Sequence, residues 1–142
     1  VVGLVGSEMC IRDRYWVNTD YANNVGFDLT TPDVSANSGT VNTRVGNPQR
    51  EIINNAVAVV YSPGKNMLGG LSIDDVAREA VPAIGGGHDD ENENSDGDRI
   101  FMSRPPREEG ASTLNGGIYD DITIWISSFE IKAKMVEAGV LP

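Results

Sequence analysis

From Ile122 to Ser127 the chain reads ITIWIS, a period of two with Ile122, Ile124 and Ile126 on one side and Thr123 and Trp125 on the other. This predicts a strand with the isoleucines as its buried face. Trp125 then points outward, either under a loop or helix or offered as a contact surface. Ser127 and Glu130 have capping-box spacing, so the strand should run directly into a helix through SFEIKAKMVEA. That helix places Ile131, Met135, Val136 and Ala138 near one face and Lys132 and Lys134 outward, with Gly139 as its C′ residue. The unbroken apolar run Ala56–Tyr61 predicts a central strand buried on both faces. Pro63-Gly64 should end it in a type II turn, with Gly64 at positive φ. Weaker patterns predict strands from Tyr15, over Phe27–Thr31 (a hairpin partner of the first), over Thr40–Val45 and over Arg99–Arg104. Ser72 can cap a short helix carrying Ile73, Val76, Ala77 and Ala80 and stopped by Pro82. Gly85–Asp98 and the stretch after Pro105 read as loops. Strands follow one another without βαβ alternation. The fold class is therefore α+β: an antiparallel sheet with flanking helices, its C-terminal strand followed by a C-terminal helix.

The chain has 142 residues, enough for one domain with a real core. Its first fourteen residues fit neither period. LVGSEMCIRDR, Leu4–Arg14, resembles the translation of a transposase-type sequencing adapter, and it holds the lone cysteine, Cys10. Residues 1–14 are accordingly set apart as non-native, and residues 15–142 are taken as one globular domain that continued upstream in the native protein. A net charge of −10 and the lack of a Lys/Arg cluster exclude a nucleic-acid partner. No run of about 18 apolar residues is present, so this fragment makes no membrane contact of its own.

Chemistry is sparse. His88, the only histidine, lies among acids in a glycine-rich stretch and reads as an exposed loop residue favoured in its charged form. No nucleophile–base signature accompanies it, so no catalytic residue is assigned and the protein reads as a non-enzyme. The acidic stretch offers the best site. Asn92, Asn94, Asp96 and Asp98 alternate around Gly97 like the first half of a calcium loop, making Ca²⁺ the candidate cofactor. Ser103 stands where an EF-hand requires Glu, so further ligands would come from outside, from Asp89, Asp90, Asp120 or Asp121. The competing readings are a solvated acidic loop, and for Asp120 a strand-start aspartate accepting loop N–H bonds.

AVAVVYSPGKN, ENENSDGDRIFMSR and YDDITIWISSFEIKAKMVEAGVLP together resemble the C-terminal part of type IV pilin-like proteins, the prepilin-type subunits or pseudopilins of type II secretion and pilus systems. The matching features fall on Val57–Asn66, Asn94–Arg104, Asp120–Ser127 and Met135–Pro142, and YWVNTDYAN with FDLTT is similar to the first strands of that sheet. Tyr61-Ser62-Pro63, where relatives often carry Ser-His, and the long Leu68–Gly87 segment depart from the pattern. The resemblance implies a pilin-like head domain. Its partners would be other subunits of the same filament, and its place periplasmic or extracellular, on a protein anchored in the inner membrane by an N-terminal helix. It also implies that a loop near the sheet can hold Ca²⁺. Two alternatives remain: a secreted or periplasmic binding domain unrelated to pili, and a metal-dependent hydrolase.

Overall fold

The computed structural model describes residues 13–23, 25–44, 48–66, 68–70, 80–83, 86–107 and 116–141. Residues 1–12 of the adapter-like segment and the predicted helix after Ser72 lie outside the described residues. The described elements are β1 (Arg14–Val17), β2 (Gly39–Arg44), β3 (Gln49–Ser62), α1 (Asp89–Ser95), β4 (Ile100–Met102), β5 (Ile122–Ser127) and α2 (Ser128–Glu137). The class is α+β. Arg14, assigned to the non-native segment, is the first residue of β1, and its guanidinium stacks over the Tyr61 ring.

β3 organises the sheet. Ala56 pairs with Gly39 of β2 and with Ser127 of β5, so those two strands lie on opposite edges. Ala58–Tyr61 pair with both β1 and β5. β1 and β2 therefore share one edge of β3 end to end, and β5 takes the other. These ladders are antiparallel, but β4 joins β2 in parallel, Thr40 opposite Ile100 and Asn42 opposite Met102. The expected all-antiparallel sheet is thus mixed. The long connection from Ser62 to Ile100 is what allows a parallel return.

The core lies on one face of this curled sheet. Val41, Ala56, Val59, Tyr61 and Phe101 are buried there, with Trp16, Ile53 and Trp125 packed against them. Phe101 makes tilted ring contacts with Trp16, 5.9 Å away, and Tyr61, 6.5 Å away. Gly39 is required at its position because a Cβ would press on the Trp16 ring.

Several expectations are corrected. Trp125 faces the core opposite Val59, while Ile122, Ile124 and Ile126 face solvent. Alternation fixes which residues share a side, and the inward side is the one carrying the larger ring. The strand β3 is longer than the predicted Ala56–Tyr61 run, and that run is buried on both faces only at Ala56 and Val57, with Val60 exposed farther along. Phe27–Thr31 is a loop, because Asp28 Oδ1 accepts the N–H groups of Thr30 and Thr31 and withdraws them from any ladder. Gly64 is absent from the glycines with positive φ. It is needed instead because any Cβ there would collide with Asp120.

The helix after β5 forms as predicted: Ser127 Oγ accepts the Glu130 N–H, and Gly139 has φ 71°. Its facing differs. Lys132 is buried, its Nζ donating to the Leu29 and Thr31 carbonyls and to Asp33 Oδ1 at 2.9 Å, while Phe129 and Val136 are exposed.

Candidate functional site

The stretch read as an acidic loop contains α1, a seven-residue helix of sequence DDENENS. Its composition argues against burial, yet Asp90, Glu91 and Asn94 are all buried. Each is carried inward by a specific partner. Asp90 is held between Arg44 Nη2 at 3.1 Å and Arg104 Nε at 2.6 Å. Asn94 Oδ1 accepts the Met102 N–H at 2.6 Å, and its Nδ2 donates to the Met102 carbonyl and to Asp121 Oδ2. Glu91 accepts from Asn66 Nδ2 at 2.8 Å and from the Asp120 N–H at 3.1 Å, and lies 2.7 Å from His88 Nδ1. The sheet, not the helix's intrinsic propensity, holds α1 in place.

Where α1 meets the start of β5, Glu91, Asp120 and Asp121 each present a carboxylate oxygen within 4.8 Å of the others. Asp120 Oδ2 accepts the Asn66 N–H, and its Oδ1 is buried with no hydrogen-bond donor. Asp121 accepts from Asn94 and, at 3.4 Å, from the Gly64 N–H. Burial pushes the Asp121 carboxyl up to about 7, opposed by the Asn94 hydrogen bond and reinforced by the Glu91 charge. Glu91 is also raised, chiefly by burial, against the pull of its His88 and Asn66 hydrogen bonds. Tyr119, whose hydroxyl donates to the Met102 carbonyl, is pushed up to about 12 by burial. A cavity of about 270 Å³ lined by Lys65, Asn66, His88, Ile118 and Asp120 opens beside the cluster.

The predicted ligand set does not converge. Asp96 and Asp98 are exposed, their carboxylates accepting the N–H groups of Asp98 and Ile100 within the turn. Asn92 donates to the Pro82 carbonyl. Asn94 spends its amide on Met102 and Asp121, and Asp90 spends its carboxylate on two arginines. Of all the ligands considered, only the outside candidates Asp120 and Asp121 belong to the cluster. Glu91 was missed, since nothing in an EN-rich stretch marks one glutamate as inward. His88 is partly buried against Glu91 rather than an exposed loop residue. The donor set that does form, three carboxylates with an uncapped Asp120 oxygen, fits a hard divalent cation such as Ca²⁺.

A second feature lies on the sheet face opposite the core. Register sets Tyr15, Val60 and Ile124 in one row and Val17, Ala58 and Ile126 in the next, with Ile122 beside Ser62 beyond. Tyr15 is 79% exposed, Ile124 65%, Ile122 62% and Val60 39%. No paired residue of these rows carries a charge, and exposed Asp13 lies just before them, two residues ahead of Tyr15. Scans against protein-family models, curated proteins and solved structures returned no match.

Proposed function

We propose that residues 15–142 are the head domain of a type IV pilin-like subunit, with a structural rather than catalytic role in a filament of a type II secretion or pilus system. The observation that carries this reading is the bare apolar face of β1, β3 and β5. A three-stranded face whose paired residues are uncharged, on a chain of net charge −10, is built to be covered by other polypeptide. The motifs at Val57–Asn66, Asn94–Arg104 and Asp120–Ser127, and the strand that runs directly into its helix at Ser127, support the same reading. The head would stand in the periplasm or outside the cell, with further subunits as partners. Among the described residues no helix is long and apolar enough to cross a membrane.

The gene itself supplies the test. Genomic DNA upstream of the Tyr15 codon should continue in frame to a Gly-Phe-Thr-Leu-[IV]-Glu-like start followed by about 20 apolar residues. A start codon directly before Tyr15, or a cleavable secretory signal joined straight to the domain, overturns the reading.

The uncapped Asp120 oxygen favours a second property of the same head, a Ca²⁺ ion held by Glu91, Asp120 and Asp121. Calorimetric titration should then give saturable Ca²⁺ uptake, and EGTA should lower the melting temperature. Absence of both removes the cation from the account.

A further inference from the structure

Six side chains dominate the outer sheet face: Tyr15, Val17, Val60, Ile122, Ile124 and Ile126. At their observed exposures they leave on the order of 600 Å² of mostly apolar surface bare, at the upper end of what a monomer shows. We propose that this face docks onto the same face of a second copy of the chain, giving a two-fold dimer of sheets packed face to face. The inference goes beyond the filament reading and does not rest on it.

Three physical points single out a second copy. The first is area. Two such faces together remove about 1,200 Å², the lower limit of specific protein interfaces. The second is charge. Two bodies of net charge −10 repel wherever their acidic surfaces meet, and the paired residues of the outer face, with Asp13 only at its edge, present uncharged side chains at a two-fold contact. The third is shape. Tyr15–Val60–Ile124 and Val17–Ala58–Ile126 form parallel rows across three strands, and sheets stacked about 10 Å apart interdigitate rows of this kind. Val60 lies on the middle strand and so near the centre of such a contact. Tyr15, on the β1 side, can keep its hydroxyl in water at the rim.

Sedimentation equilibrium of the 142-residue chain tests this between about 1 and about 200 μM, a range that brackets the affinity of a small interface. The apparent mass should rise from 15.2 kDa toward twice that value and level off there. Association should strengthen several-fold between low and physiological salt, because screening weakens the repulsion of two acidic bodies. Ile124→Asp, at an outward position, should stay at 15.2 kDa throughout with an unchanged circular dichroism spectrum. A wild-type chain that remains at the monomer mass to the top of the range overturns the proposal and leaves the face to another segment or partner. An Ile124→Asp variant that associates like wild type overturns it too, since the contact then lies elsewhere. The upstream gene sequence decides the filament reading separately.

Discussion

Replacing Asp121 by Asn should make the protein more stable at pH 8, and the gain should fade with acid. In the folded chain the Asp121 carboxyl sits at about 7, against an ordinary value of 3.8. Between those values the folded protein keeps a proton that the unfolded chain has released. Stability therefore falls as pH rises through this window and levels off above about 7. Three pKa units at about 1.4 kcal/mol each set a ceiling near 4 kcal/mol, and the proximity of Glu91 makes the measured figure smaller, because the two carboxyls titrate as a pair. An asparagine carries no charge into the site. Its amide oxygen can accept from Asn94 Nδ2, as Asp121 Oδ2 does at 2.9 Å, and its amide group can donate to a neighbouring carboxylate. Thermal unfolding of both proteins in EGTA, at pH 8 and pH 5, reads the effect. The variant should melt up to roughly 10 °C higher at pH 8, and the gap should shrink by more than half at pH 5. A variant that melts below wild type at pH 8, or a gap equal at both pH values, would refute the claim that a desolvated charge at Asp121 weakens the fold.

Two further substitutions probe what surrounds the cluster. Asp90→Ala removes the carboxylate shared by Arg44 and Arg104 and should cost about 3–5 kcal/mol in urea unfolding, with a loss under 1 kcal/mol ruling out a buried ion pair there. Gly64→Ala drives a methyl group into the Asp120 carboxylate and should cost about 1–3 kcal/mol while abolishing any calcium-dependent rise in melting temperature; an alanine variant with wild-type behaviour on both counts would show that the close approach is not tight.

The sheet strands are legible wherever local pattern and tertiary environment agree. The β-branched run of β3, the alternation of β5 and the Ser127 cap each name their element from neighbouring residues alone. The orientation of β5 is different. ITIWIS offers two equally regular sides, and only the packing of Trp125 against Val59 across the ladder decides which turns inward. Lys132 is misread for a related reason: a lysine on a helix is normally solvated, and nothing local announces the Leu29 and Thr31 carbonyls waiting for it about a hundred residues away. The site was the least legible part. Asn92, Asp96 and Asp98 have calcium-loop spacing, but helix formation turns Asp90, Glu91 and Asn94 inward while the following turn consumes the carboxylates of Asp96 and Asp98 on its own backbone. Burial of three polar residues in one short helix depends on Arg44, Asn66, Arg104 and Asp121, none of which lies in that segment.

One carboxamide also governs how this protein can be joined to others. In a parallel ladder alternate residues point to opposite edges, and Ser103 donates to Asn42, so Met102 turns its peptide groups away from β2. Asn94 answers both of them, and the Tyr119 and Thr123 hydroxyls add to the carbonyl. A side-chain amide thus stands in for the next strand and acts as an end-stop. An incoming extended peptide would find no vacant donor or acceptor at Met102, so the sheet is closed at this residue to lengthening past β4.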